Sequence, residues 1–367
     1  MSFLPEYPNQ PLSLPQRPRC LRRPRSQHNV RAAEDPQFRS FLLDVGNGRA
    51  PYDLDLAPNA VVLPASITAS SSWTPVDLAR FVYGDLVSRT MAVLTNHRCE
   101  DLAHLAAEAI LTPKNEDVQA INDQILAFFP AESVSELPSA TTIIGRTPED
   151  YQAFPAEYLH SLNLPQMPPP TLCLCPGAMV SLLRNVDYER GLCNGTRCLV
   201  VHISPRILDV LILTGRSRGA RAVLPRIPLT PSDWALPVRV ARRQFPLRLG
   251  WAMTMNKAQG QTLQRCFSEL SAVVPVVSDF ICRSANGPLL TKTKHLPFIF
   301  AGCGLHLPRP VFAHGQLYVA LSRVRRAADL RILLGTSDES RQGYVHRSSG
   351  VVTAWTQNVV YPEILRS

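Results

Sequence analysis

The chain has 367 residues, of which 45% are hydrophobic, enough for two domains or for one domain with an insertion. Its net charge is +9 with a pI near 9.3, and only Lys114, Lys257, Lys292 and Lys294 are lysines, so the other cations are arginine. An Arg-rich, basic balance favours a polyanionic partner, and the lack of any apolar run of about eighteen residues excludes a helical membrane span.

Residues 1–28 are rich in Pro and Arg with almost no apolar periodicity, which predicts a disordered basic extension. Asn29-Val30-Arg31 precedes an amphipathic stretch, 35–45. There Phe38, Phe41, Leu42 and Val45 recur at helical spacing until Gly46 and Gly48 stop it. Thr74-Pro75-Val76-Asp77 is a helix start: Thr74 can cap, Pro75 suits the first turn, and Asp77 stands where a capping box places its acid. Residues 109–112 read as a core strand. A helix follows, capped by Asn115, with Val118, Ile121, Ile125 and Leu126 as its buried stripe and Asn122 as a tie to a neighbour. Residues 130–170 read as a connector with one helical island at 156–162.

From Gly177 the pattern changes to short strands at 178–183, 198–203, 207–213 and 221–227, with turns at 191–195 and 214–219. Strands at that spacing predict a small β-barrel. Nine cysteines, odd in number and irregular in spacing, argue against a disulfide framework and point to a reducing compartment. Cys173, Cys175, Cys193 and Cys198 fit none of the usual zinc spacings, so no metal site is expected.

Two later segments carry the chemistry. In the first, 247–255 reads as one buried strand that runs into Asn256-Lys257-Ala258-Gln259-Gly260-Gln261-Thr262. Exposed backbone N–H groups beside a Lys, a Gln and a Thr suit phosphate contacts. In the second, His314-Gly315-Gln316 opens a short helix that buries Leu317, Ala320, Leu321 and Val324 and presents Gln316 and Arg323 from another face.

These segments resemble motifs V and VI of superfamily-1 helicases, and the chain is identified as similar to the Pif family of 5′-to-3′ DNA helicases, including those carried by Helitron transposons. Residues 109–126, 178–185 and 191–197 resemble the same family. The resemblance implies an α/β fold: a RecA-like second motor domain, formed by 29–170 and 244–367, with the barrel inserted at 171–243. It implies Arg323 as an arginine finger with Arg31 as a second phosphate contact, and Gly260, Gln261 and Gln316 at the nucleotide cleft. Thr254, Asn256, Lys257 and Gln259 would couple that cleft to single-stranded DNA. Arg184, Asn185, Asn194 and Thr196 would touch the DNA backbone, although turn chemistry alone also explains Asn194-Gly195.

The sequence departs from the family twice. Residues 267–303 match nothing in it, as an insertion would, either translated intron or a surface loop. And the chain contains neither Gly-x-x-x-x-Gly-Lys-Ser/Thr nor a strand ending in paired acids, the parts that hold ATP and Mg²⁺ in the complete enzyme. The expectation is the C-terminal portion of a helicase, of nuclear or mitochondrial placement and of the kind used in DNA repair and recombination, inactive alone. Two alternatives are a non-catalytic single-stranded DNA-binding module and a half-motor completed by a separate P-loop subunit.

Overall fold

The computed structural model describes residues 32, 34–50, 59–96, 99–145, 154–162, 164, 167–231, 239–260, 302–335, 342–346 and 352–361. Four strands, Glu108–Thr112, Ala252–Thr254, Gly302–Leu307 and Leu330–Leu334, form a wholly parallel sheet. In space the 252–254 strand is outermost, followed by 108–112, 302–307 and 330–334. Strands covered on both faces read as continuous apolar runs. Ile110 joins one core with Leu78 and Val82 of the Pro75–Tyr83 helix and Val118 and Ile121 of the Asn115–Leu126 helix. Its neighbours Ala109 and Leu111 join the opposite core with Phe38, Leu42, Leu317 and Leu321. A Cβ at Gly304 would stand 3.0 Å from Leu78 and from Val82, so the sheet and the 75–83 helix meet at this glycine.

Local signals set the helix ends. Asp35 accepts from the Phe38 N–H at 3.0 Å, and Gly48, at φ 68°, ends the Pro36–Asn47 helix. Thr74 and Asp77 form the expected capping box. The cap expected of Asn115 is not there: Asn115 is the first helical residue, and Lys114 precedes it without a side-chain cap.

A second, antiparallel sheet of five strands lies between the halves of the first in sequence. Its order is Leu247–Leu249, Met179–Leu182, Arg197–Ile203, Ile207–Ile212 and Arg221–Pro225. Most of its buried residues share one core with the 75–83 and 115–126 helices. The single strand expected at 247–255 is in fact two, one in each sheet. The chain changes sheets at Gly250, where a Cβ would lie 2.9 Å from the Val180 carbonyl carbon, so only glycine permits the approach. Asn122 clamps the crossing. Its side-chain oxygen accepts from the Ala252 N–H at 2.8 Å, and its amide donates toward the Leu249 and Ala252 carbonyls at 3.4 Å.

The connector expected at 130–170 is also corrected. Ser135–Pro138 pairs with Thr171–Leu174, and Ala140–Ile143 pairs with Val240–Gln244, which in turn pairs with Ile227–Leu229. Of 140–143 only Ile143 is buried, and of 135–138 only Leu137, too little apolar pattern to announce a strand. The guanidinium of Arg242, 0% exposed, donates to Thr141 Oγ1 and to the carbonyls of Leu162 and Pro168. That bonding satisfies a buried cation without an acid. A third sheet of three strands pairs Ala60–Leu63 with Val352–Gln357 and that with Gln342–His346.

Candidate nucleic-acid interface and nucleotide-cleft wall

At the carboxyl ends of the parallel strands, where open α/β sheets carry their ligand sites, three polar side chains stand in a row. Thr254 is opposite Thr112 in register, and His306 follows Leu305, the partner of Leu111, on the third strand. All three share the face of Ile110. Thr112 Oγ1 is 3.4 Å from Asp117 Oδ2 in the first turn of the 115–126 helix. His306 Nδ1 is buried and has no hydrogen-bond partner. Burial holds its pKa below the ordinary histidine value, and the Asp117 carboxylate opposes that shift.

The Met255–Gly260 helix starts directly after Thr254. Asn256 and Lys257 are exposed on it, whereas Thr254 is 7% exposed. Desolvation, and after it the like charge of Arg248, lowers the Lys257 pKa to about 8. Two cations that feel each other's charge suit an anion.

The second motif segment packs against the first. The Gln316–Leu321 helix follows Gly315, at φ 68°, and Leu317, Ala320, Leu321 and Val324 are buried as expected. The other expected face is not presented to solvent: Gln316 is 2% and Arg323 5% exposed. Gln316 Oε1 accepts from the N–H groups of Phe312 and Ala313, and its Nε2 is buried without a partner. The helix ends before Arg323, whose Nε donates to the Val319 carbonyl at 2.8 Å and Nη1 to the Ala258 carbonyl at 3.3 Å. Arg323 therefore links the two motif segments.

Arg31 and Gln261 lie outside the described residues, and of Gln259 and Gly260 only the helical backbone is described. The chain just after Arg31 does approach the motif. Asp35 accepts from the Ala327 N–H at 3.0 Å, and Glu34 pairs with Arg325 at 3.5 Å. The span 267–303 also lies outside, except that Gly302 and Cys303 already belong to the 302–307 strand.

On the antiparallel sheet the residues expected to touch DNA make bonds in and beside their loop. Asn185 Oδ1 accepts from the Asn194 N–H at 2.8 Å. Thr196, 9% exposed, bonds the Cys193 N–H and the Gly191 carbonyl. Arg184 donates to the Thr230 carbonyl at 3.2 Å. Turn chemistry accounts for the Asn185 and Thr196 bonds, while Asn185 and Asn194 remain exposed. Of the residues now at the site, Thr112, Asp117 and His306 were not singled out. Their only signal was position, each at or just after the carboxyl end of a core strand.

Parallel strands covered on both faces, with polar side chains gathered at their carboxyl edge, define an α/β protein. Residues 157–203 match the family model described as the 2B domain of the DNA helicase Pif1. The ATP-dependent DNA helicase PIF1 of Xenopus laevis is 26% identical over 255 residues, which are 68% of this chain and 31% of that protein. The ATP-dependent DNA helicase PIF6 of Trypanosoma brucei brucei is 30% identical over 190 residues, 50% of this chain and 18% of that one. The crystal structure of a Pif1 helicase from Candida albicans aligns with a TM-score of 0.44 at 20% identity, covering 85% of this chain and 55% of that one. Over the part it shares with them, the chain is similar to Pif1-family helicases. It spans a third or less of the length of these two sequence relatives.

Proposed function

We propose that the chain is the second motor half of an ATP-dependent DNA helicase. In this reading the parallel sheet is RecA-like, the five antiparallel strands are the inserted small barrel, and single-stranded DNA runs across the carboxyl edge of the parallel sheet. The observation that carries the reading is the bond from Arg323 to the Ala258 carbonyl. It joins the segment that would face a nucleotide to the helix that begins at Thr254 and carries Lys257. A shift of either segment is then felt by the other. Thr254 and Lys257 supply a hydroxyl and a cation for backbone phosphates.

The residues present fit only one wall of an ATP–Mg²⁺ site. Gln316, with its unpartnered buried Nε2, and Arg323 are the groups that would face the phosphates. ATP would supply the transferable phosphoryl group, but the lysine and paired acids that grip it in P-loop motors do not occur in this sequence. On this proposal the polypeptide alone does not turn over ATP.

Fluorescence anisotropy and a phosphate-release assay on the full chain test both parts. Salt-sensitive binding of single-stranded DNA without phosphate release is expected. ATP turnover abolished by Arg323→Ala would overturn the inactive half, and salt-insensitive or absent DNA binding would overturn the rest.

A further inference from the structure

The antiparallel sheet ends in two loops, 184–196 and 214–219, that lean on each other. A Cβ on Gly191, at φ 72°, would stand 3.0 Å from Ser217 Oγ. The first loop is a closed unit: the Gly191 N–H donates to the Tyr188 carbonyl, and Asp187 Oδ1 accepts from the Arg190 N–H at 3.0 Å. These bonds hold the turn, and it lifts one aromatic ring into water. Tyr188 is 71% exposed. The next most exposed large apolar side chain among the described residues, Phe312, is 58% exposed.

An isolated exposed aromatic needs no explanation. Tyr188 is not isolated. Arg216 of the second loop lies over its ring with Cζ 5.9 Å from the centroid, near the outer limit of about 6 Å for an attraction between a cation and an aromatic face. The guanidinium accompanies the ring without sealing it. Arg190 and Arg218 add charge on the same two loops, against Asp187 and Glu189, and Asp187 is already paired with Arg190 at 3.5 Å. An open ring on a rigid turn, flanked by arginines in a chain of net charge +9, matches a base-stacking surface with neighbouring phosphate contacts.

We infer that Tyr188 and Arg216 form a stacking platform for an unpaired base of single-stranded nucleic acid. The base lies on the open ring face, and Arg216 neutralises the adjacent phosphate. This deepens the proposed function and rests on it: the strand that crosses the parallel sheet would continue onto this rim.

The test uses the full chain and two labelled strands of equal length, oligo-dT and an abasic oligonucleotide. Tyr188→Ala is expected to weaken oligo-dT binding by about ten-fold, to leave the slope of affinity against salt unchanged, and to leave abasic binding unchanged. Tyr188→Phe is expected to retain wild-type affinity. Because the side chain is exposed, the thermal midpoint of both variants should match the wild type. Wild-type binding of oligo-dT that Tyr188→Ala does not alter would overturn the platform and spare the proposed function; so would an equal loss on the abasic strand. Failure of the wild type to bind either strand would overturn both.

Discussion

Arginines occupy this molecule in two ways. Arg323, on the parallel-sheet side, is 5% exposed and donates to two carbonyls. Arg216, on the rim of the antiparallel sheet, is exposed and touches a ring that is itself open to water. The first guanidinium is fixed before any ligand arrives, as suits a group that must signal between two segments. The second keeps its freedom, as suits a group that follows a flexible strand. The same side-chain chemistry therefore gives opposite readouts when it is removed.

The largest effect expected is on the fixed side. Arg323→Ala removes the guanidinium from the Ala258 carbonyl and from the Val319 carbonyl, to which Ser322 Oγ also donates, and should cost about 3 kcal/mol of stability by denaturant titration. A loss well under 1 kcal/mol would place Arg323 on the free side of the comparison. Asn122→Ala, which strips the Ala252 N–H and the Leu249 carbonyl at the crossing between sheets, should cost about 2 kcal/mol by the same measurement. Arg216→Ala should change stability by no more than about 0.5 kcal/mol while lowering the slope of single-stranded DNA affinity against salt by about 0.7. The smallest effect concerns pH. With the Lys257 pKa at about 8, DNA affinity should fall a few-fold between about pH 7 and about pH 9, and Lys257→Arg should flatten that profile. Stability moves the other way. The folded pKa lies below the unfolded value of 10.5, so the unfolded chain holds more protons between them, and stability rises as pH climbs through that window.

The two sheets also differ in how far they could be read beforehand. The parallel strand at 108–112 and the helices after Asp35 and Thr74 were legible because apolar periodicity and capping residues are local signals. The main antiparallel strands were legible within a residue or two for the same reason. The split of 247–255 was not, because an apolar run looks alike whichever sheet it joins, and the crossing is decided by the contact of Gly250 with Val180. The 135–143 strands were hidden because they bury almost nothing. At the site, Thr254 and Lys257 were found from a motif, whereas His306 and Thr112 acquire meaning only once three strands set them in one row. Asn185 and Thr196 show how a turn draws on its own polar residues first, a use that is also legible in the Asn194-Gly195 pair.

The most direct test of the second-motor-half account is a salt titration of single-stranded DNA binding by the full chain and by Lys257→Ala. The account predicts a linear fall of log affinity with log salt in the wild type and a slope smaller by about 0.7 in the variant. Identical slopes, or no binding by the wild type, would contradict it.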